Sequence, residues 1–179
     1  MNSSRLINNI ALIGFMGTGK STVGRLVADS LHFEFLDTDE LIEVRAGKAI
    51  AAIFAAEGEP AFRMQERKVV EELNTRQRTV ISCGGGMGAN AANLATLKEH
   101  ALVICLWASP EKIWERVRTQ THRPLRKEAD PLAKIRSLLT VREPIYKQAD
   151  VLLNTELRPL KEVAVQVLHQ FQLARAHPK

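Results

Sequence analysis

The sequence is short of aromatic residues: six Phe, two Trp and one Tyr make up 5% of its 179 positions. Proteins that grip single-stranded nucleic acid stack bases on aromatic rings set among basic side chains. No basic run interleaved with aromatics occurs here, so no nucleic-acid partner is expected. Cysteine is equally scarce. Cys83 and Cys105 both stand in apolar runs, and they read as reduced core residues, not as a disulfide or a metal framework. Long hydrophobic runs are missing too. The apolar stretch 10–15 is too short to cross a bilayer and leads straight into glycines, so no membrane contact is expected. With no visible targeting signal, a cytoplasmic location is the default expectation. Repeats, low-complexity tracts and linkers are also lacking, and one domain over 1–179 is expected.

What charge there is carries a mild bias. The formal net charge is +5, and the basic residues are dispersed. That pattern suits small anionic ligands better than a polyanion.

Apolar, β-rich runs alternate with amphipathic helical stretches. Strands are expected at 9–13, 33–36, 79–83, 101–107 and 151–154. Helices are expected at 20–31, 38–45, 49–57, 59–74, 91–99, 110–118, 132–148 (kinked at Pro144) and 159–174. The polar, basic segment 119–130 reads as a loop. Five strands joined by helical crossovers imply an α/β fold, a parallel sheet covered by helices on both faces. Ligands of such sheets sit at the carboxyl ends of the strands, so the residues after each strand carry the search.

After the first strand comes "GFMGTGKST". Gly14 with Gly19-Lys20-Ser21 satisfies G-x-x-x-x-G-K-[ST] between a predicted strand and a predicted helix, the context that gives the motif meaning. Glycines let backbone N–H groups curl round phosphate oxygens at the positive end of a helix. Gly17, Thr18, Gly19, Lys20, Ser21 and Thr22 are therefore candidate nucleotide contacts. Lys20 is expected to reach the β- and γ-phosphates, and the Ser21 hydroxyl to bind Mg²⁺. A guanine-reading Asn-Lys-x-Asp motif is absent, and so is an apolar strand ending in a lone Asp.

After the second strand, "FLDTDELI" supplies Asp37 and Asp39. Asp37 could cap the next helix, with Asp39 and Glu40 favouring its positive end. Alternatively, one carboxylate sits near Mg²⁺ while the other takes the proton of an acceptor hydroxyl. Such general-base help contributes roughly 10²- to 10⁴-fold.

A third feature is "VISCGGGMG", an apolar run ending in Gly84-Gly85-Gly86. It looks like a phosphate loop but has no Lys-Ser pair.

The segments "GFMGTGKSTVGRLVA", "FLDTDELIE", "IFAAEGEPAFRMQE", "CGGG", "RPL" and "REPIY" resemble, in this order, those of the shikimate kinase family, P-loop proteins of the nucleoside-monophosphate-kinase-like group. The resemblance covers about residues 9–172. It implies a three-layer α/β/α fold with strand order 2-3-1-4-5, and phosphorylation of the 3-hydroxyl of shikimate by ATP with Mg²⁺. By the same resemblance Asp39 binds the shikimate hydroxyls and is the candidate base, and Asp37 lies near Mg²⁺. Arg63 and Arg142 pair with the shikimate carboxylate, a task that suits the guanidinium fork. Gly84, Gly85 and Gly86 line the acceptor pocket, with helices over 38–74 on its other side. Phe54 and Phe62 match pocket-wall positions that core packing explains equally well. Glu66 either holds Arg63 in place or forms an ordinary surface pair with it. The 119–130 loop becomes a lid whose Arg123 reaches the phosphates, and Arg118 packs beside adenine. Lys20, Asp39 and Arg123 are the catalytic candidates. A monomer is expected, with ATP and shikimate its partners.

The sequence departs from the family pattern at Ser82-Cys83, Trp107, His122 and Arg126. None of these is expected to touch the reaction. His32, His100, His169 and His177 read as surface or helix-end residues. Two other readings stay open: a kinase of another hydroxy acid such as gluconate or quinate, and a nucleotide-binding regulatory module. The paired arginines with Asp39 favour shikimate over the first. Retention of Lys20, Asp39 and Arg123 speaks against the second.

Overall fold

Alternation of side chains along the first strand, β1 (Asn9–Ile13), determines how the layers form. Residues two apart on a strand share a face. Ile10 and Leu12 enter one apolar cluster, and Ala11 and Ile13 the other. All five residues of β1 are buried, as suits a parallel strand covered on both sides.

The computed structural model describes residues 5–119 and 129–176. After β1 come α1 (Lys20–Leu31), β2 (Glu34–Asp37), α2 (Thr38–Ala46), α3 (Ile50–Leu73), β3 (Thr79–Ser82) and a 3₁₀ turn (Met87–Ala89). They are followed by α4 (Ala91–His100), β4 (Ala101–Trp107), α5 (Pro110–Val117), α6 (Pro131–Tyr146), β5 (Val151–Asn154) and α7 (Leu160–Ala176). The strands form one parallel sheet in the order β2-β3-β1-β4-β5, as expected. Residues of α1 and α7 pack on one face, and residues of α3, α4, α5 and α6 on the other. Among the described residues no helix is long and apolar enough to cross a membrane.

Local chemistry sets the element ends. Ser109 caps α5, its Oγ accepting from the Lys112 N–H, with Pro110 in the first turn, where its missing N–H costs nothing. Asn90 caps α4 through the Ala92 and Asn93 N–H groups. The two helices expected at 49–57 and 59–74 form a single element broken at Gly58, whose φ of 80° and ψ of 170° lie outside the helical region. Pro60 then occupies the first turn beyond the break. Helix α6 continues through Pro144 to Tyr146.

His100 is at a helix end, as expected, but it is not a surface residue: 8% of it is exposed. Its Nδ1 meets the Asn9 amide at 2.9 Å. Asn9 also bonds the Arg76 carbonyl and the Thr79 N–H, joining β1, β3 and α4 at the amino end of the sheet. The two cysteines are free and buried, as read from sequence.

Register brings three carboxyl ends together. Ser82 pairs with Leu12 of β1 on one side and Asp37 of β2 on the other. The segments that follow β1, β2 and β3 therefore open onto a common space.

Candidate active site

The segment after β1 is a loop built on left-handed glycines. Gly14, Gly17 and Gly19 have φ of 133°, 78° and 96°, values that strain any residue with a Cβ. Space forbids a side chain as well. A Cβ on Gly14 would strike the Leu106 carbonyl oxygen, one on Gly17 would come 2.7 Å from Val117, and one on Gly19 would come 2.8 Å from Leu160. Thr18 Oγ1 donates to the Phe15 carbonyl at 2.8 Å. Lys20 Nζ donates to the Gly14 and Phe15 carbonyls, both at 3.0 Å. Helix α1 starts from Gly19 without a side-chain cap. Its first N–H groups are thus directed at the loop, the usual recipe for an anion site.

Asp37 caps α2, as the sequence suggested, and also bonds the phosphate-loop serine. Its Oδ1 accepts the Asp39 N–H at 3.1 Å and caps α2. Its Oδ2 accepts from Ser21 Oγ at 2.8 Å. Ser82 Oγ lies 3.2 Å from the same Ser21 hydroxyl. These are hard oxygen donors beside a phosphate loop, a set that suits Mg²⁺, which takes one or two carboxylates plus phosphate oxygens and water. No cluster of three His, Cys, Asp or Glu that could hold a metal on its own occurs among the described residues.

The glycines after β3 face the other way. Gly84 donates its N–H to Thr38 Oγ1 at 2.8 Å, which ties the loop to the start of α2. A Cβ on Gly84 would collide with the Asp39 carboxylate, and one on Gly86 with the Arg63 guanidinium. Gly85 is roomier, its nearest neighbour in that direction being Arg142 Nη1 at 3.5 Å. Arg142 donates to the Gly85 carbonyl at 3.3 Å, and Tyr146 Oη donates to the same oxygen at 2.9 Å. The Arg142 guanidinium also sits 5.2 Å from the Phe15 ring centre.

Arg63 is held by two carboxylates, Glu59 at 2.7 Å and Glu66 at 2.7 Å. Glu66 is no surface residue, being 1% exposed. Burial raises its pKa, against the lowering effect of the Arg63 hydrogen bond and charge. Burial acts to lower the pKa of Arg63, but its hydrogen bonds and charge pairing with Glu66 and Glu59 outweigh that and raise it. Phe54 and Phe62 meet at 4.9 Å between centroids with their rings tilted by 37°, Phe62 in the core and Phe54 partly buried against it.

These groups lie in and around a cleft of about 580 Å³. A cavity of this size with a few convergent polar groups is the default ligand site. Its walls include Gly17, Gly19, Lys20, Ser21, Thr22, Asp37, Asp39, Gly84, Gly85, Gly86 and Arg142. Thr18 lies buried in the loop wall, and Arg63 does not line the cleft itself, its guanidinium lying against Gly86. Arg118 is exposed at the end of α5. Arg123, His122, Arg126 and His177 lie outside the described residues, as does most of the expected lid.

Sequence reasoning missed Arg116. It lines the cleft and donates to the Gly17 carbonyl at 3.2 Å and to Thr155 Oγ1 at 3.0 Å, fastening the phosphate loop to the end of β5. The buried pair Ile113 and Val117 shows which side of α5 faces inward, and position 116 flanks it. Thr38 and Tyr146 were likewise not singled out, and Ser82, read as a departure away from the reaction, lines the cleft beside Ser21.

The family model described as shikimate kinase matches residues 16–172. A shikimate kinase of Caldanaerobacter subterraneus subsp. tengcongensis is 41% identical over 165 residues, 92% of this chain and 96% of that one. The solved shikimate kinase of Acinetobacter baumannii in complex with shikimate superposes with a TM-score of 0.89 at 36% identity, covering 97% of each chain. A gluconokinase of Sinorhizobium meliloti shares the fold alone, at a TM-score of 0.62 and 19% identity over 96% of each chain. Phosphate loop, acidic pair and glycine floor thus stand in one cleft in a chain matched along most of its length by one set of relatives, and the chain belongs to the shikimate kinase family.

Proposed function

We propose that this protein transfers the γ-phosphate of ATP to the 3-hydroxyl of shikimate, giving shikimate 3-phosphate and ADP. The observation that carries the reading is the meeting of two half-sites in one cleft. Lys20 and Ser21 stand on the phosphate side, with Asp39, Arg142 and the 84–86 glycines opposite.

The glycine loop and the α1 N-terminus bind the triphosphate through backbone N–H groups. Lys20 exchanges its loop carbonyls for β- and γ-phosphate oxygens. Ser21 and Asp37 would hold Mg²⁺, which supplies charge neutralisation on the phosphates when bound. Arg142, with Arg63 behind the floor, takes the acid's carboxylate. Asp39 receives the hydroxyl proton as the oxygen attacks phosphorus, so positioning and a nearby base share the catalysis. Arg123 is assigned to the phosphates, and Arg118 to the adenine side. The region 119–130 covers the nucleotide in this reading, and helices over 38–74 bind the acceptor. Two reduced thiols and an ATP requirement suit the cytoplasm.

A coupled ADP-release assay with ATP, Mg²⁺ and shikimate tests the proposal. Turnover is expected for the wild type and a loss of at least about a hundredfold for Asp39→Asn. No ADP release above background with shikimate overturns it. Preferred turnover of gluconate or quinate in the same assay would reassign the acceptor.

A further inference from the structure

One carbonyl on the acceptor floor serves two donors. The Gly85 oxygen accepts from Tyr146 Oη at 2.9 Å and from Arg142 Nη1 at 3.3 Å. Both donors belong to α6, one turn apart. A carbonyl oxygen has two lone pairs and accommodates both, but the phenol makes the shorter bond. Tyr146 is 1% exposed, and burial pushes its hydroxyl pKa up to about 12 against the opposing charge and hydrogen bond of Arg142. It is therefore a neutral donor throughout the working pH range, fixed by its packing in the core cluster. Arg142, in contrast, is half-buried on the cleft wall with its guanidinium near the Phe15 ring. It has five N–H donors to share between the floor and a ligand.

We propose that Tyr146 is a positioning residue for the acceptor: by satisfying the Gly85 carbonyl, it frees the Arg142 guanidinium to pair with the acid's carboxylate. A carbonyl left with poor partners competes for any donor nearby. Without the phenol hydroxyl, Arg142 is the one side-chain donor to the Gly85 oxygen left among the described residues. Binding a carboxylate then means breaking or bending that bond. With the hydroxyl in place, the floor keeps its shape whether or not the arginine is engaged. The inference rests on the shikimate kinase reading above.

The test compares two ligands on Tyr146→Phe, which removes one oxygen and keeps the ring. Calorimetry gives the dissociation constants of shikimate and of its neutral carboxamide, beside that of ADP. Shikimate binding should weaken about fivefold. The carboxamide and ADP should each change less than twofold, because neither asks for a charged fork from Arg142. Equal weakening of shikimate and carboxamide would make the hydroxyl a support of the loop alone and overturn the proposal. Unchanged shikimate binding overturns it too, as does a Tyr146→Phe protein that fails to fold, which would make the hydroxyl an anchor of the core. Failure of the function reading looks different: the wild type itself would then show no transfer to shikimate.

Discussion

The two glycine-rich loops of the cleft use the same residue for opposite reasons. In the phosphate loop, glycine is required by the backbone: Gly14, Gly17 and Gly19 all adopt left-handed φ. In the acceptor floor no glycine does so among Gly84, Gly85 and Gly86, and Gly86 has an ordinary helical φ of −81° and ψ of −39°. There the requirement is volume. The Asp39 carboxylate and the Arg63 guanidinium occupy the places where the Gly84 and Gly86 side chains would begin. The first loop is bent main chain of the kind that wraps an anion. The second lets functional side chains stand against main chain. "CGGG" carries no lysine of its own, and the charges beside it come from α2, α3 and α6.

Substitutions by alanine put this contrast to the test. Gly14→Ala should do the most harm. It pairs a left-handed strain of about 1–3 kcal/mol with a collision against the Leu106 backbone, which cannot swing aside. Thermal melting should show a fall of several degrees, and ADP binding should be lost. Gly84→Ala meets a side chain instead. Asp39 can rotate away, so the fold and ADP affinity should survive while kcat falls about a hundredfold. A large drop in melting temperature with that variant would erase the distinction between the loops. Gly85→Ala is milder still. Its Cβ finds ordinary contact with Arg142, so steady-state kinetics should give a shikimate KM a few-fold higher and an unchanged ATP KM. An effect on ATP alone would count against the floor assignment.

The smallest expected effect lies away from both loops and serves as their control. His100 is held below the ordinary imidazole pKa by burial, helped by the Arg5 guanidinium and opposed by Glu99. The folded chain therefore resists a proton that the unfolded chain takes up near pH 6.5. The contribution of His100 to stability is complete above that pH and declines as pH falls below it. Melting curves between pH 7.5 and 5.5 should show the slope, and His100→Gln should flatten it without moving either KM.

The parts legible in the sequence are those whose chemistry is local. "GFMGTGKST" follows a strand and opens a helix, and its geometry is as the motif requires. The alternation of strands and helices was readable because buried parallel strands are continuous apolar runs, as in "ALVICLW". Asp37 could be read in two ways, and it does cap a helix while bonding Ser21. What could not be read depends on partners distant in the chain. Arg116 and Arg118 look alike in "ERVRT", yet one bonds the phosphate loop and the other is exposed. Glu66 has the spacing of a surface ion pair, and only the packing of α3 makes it buried. His100 resembles any basic residue ending a helix, and its burial follows from Asn9, far away in sequence. In each case periodicity gives the element, while the sheet order decides what that element faces.

The Cys83 thiol offers a way to observe the acceptor floor directly. It immediately precedes Gly84, is 1% exposed, and burial raises its pKa well above the usual thiol value. It is therefore an inert, almost fully covered sulfur in the wall of the cleft. Alkylating reagents gain access only when the floor lifts from the core. The rate of Cys83 modification is accordingly a clock for floor opening, and a ligand that clamps the floor should slow it without touching the sulfur.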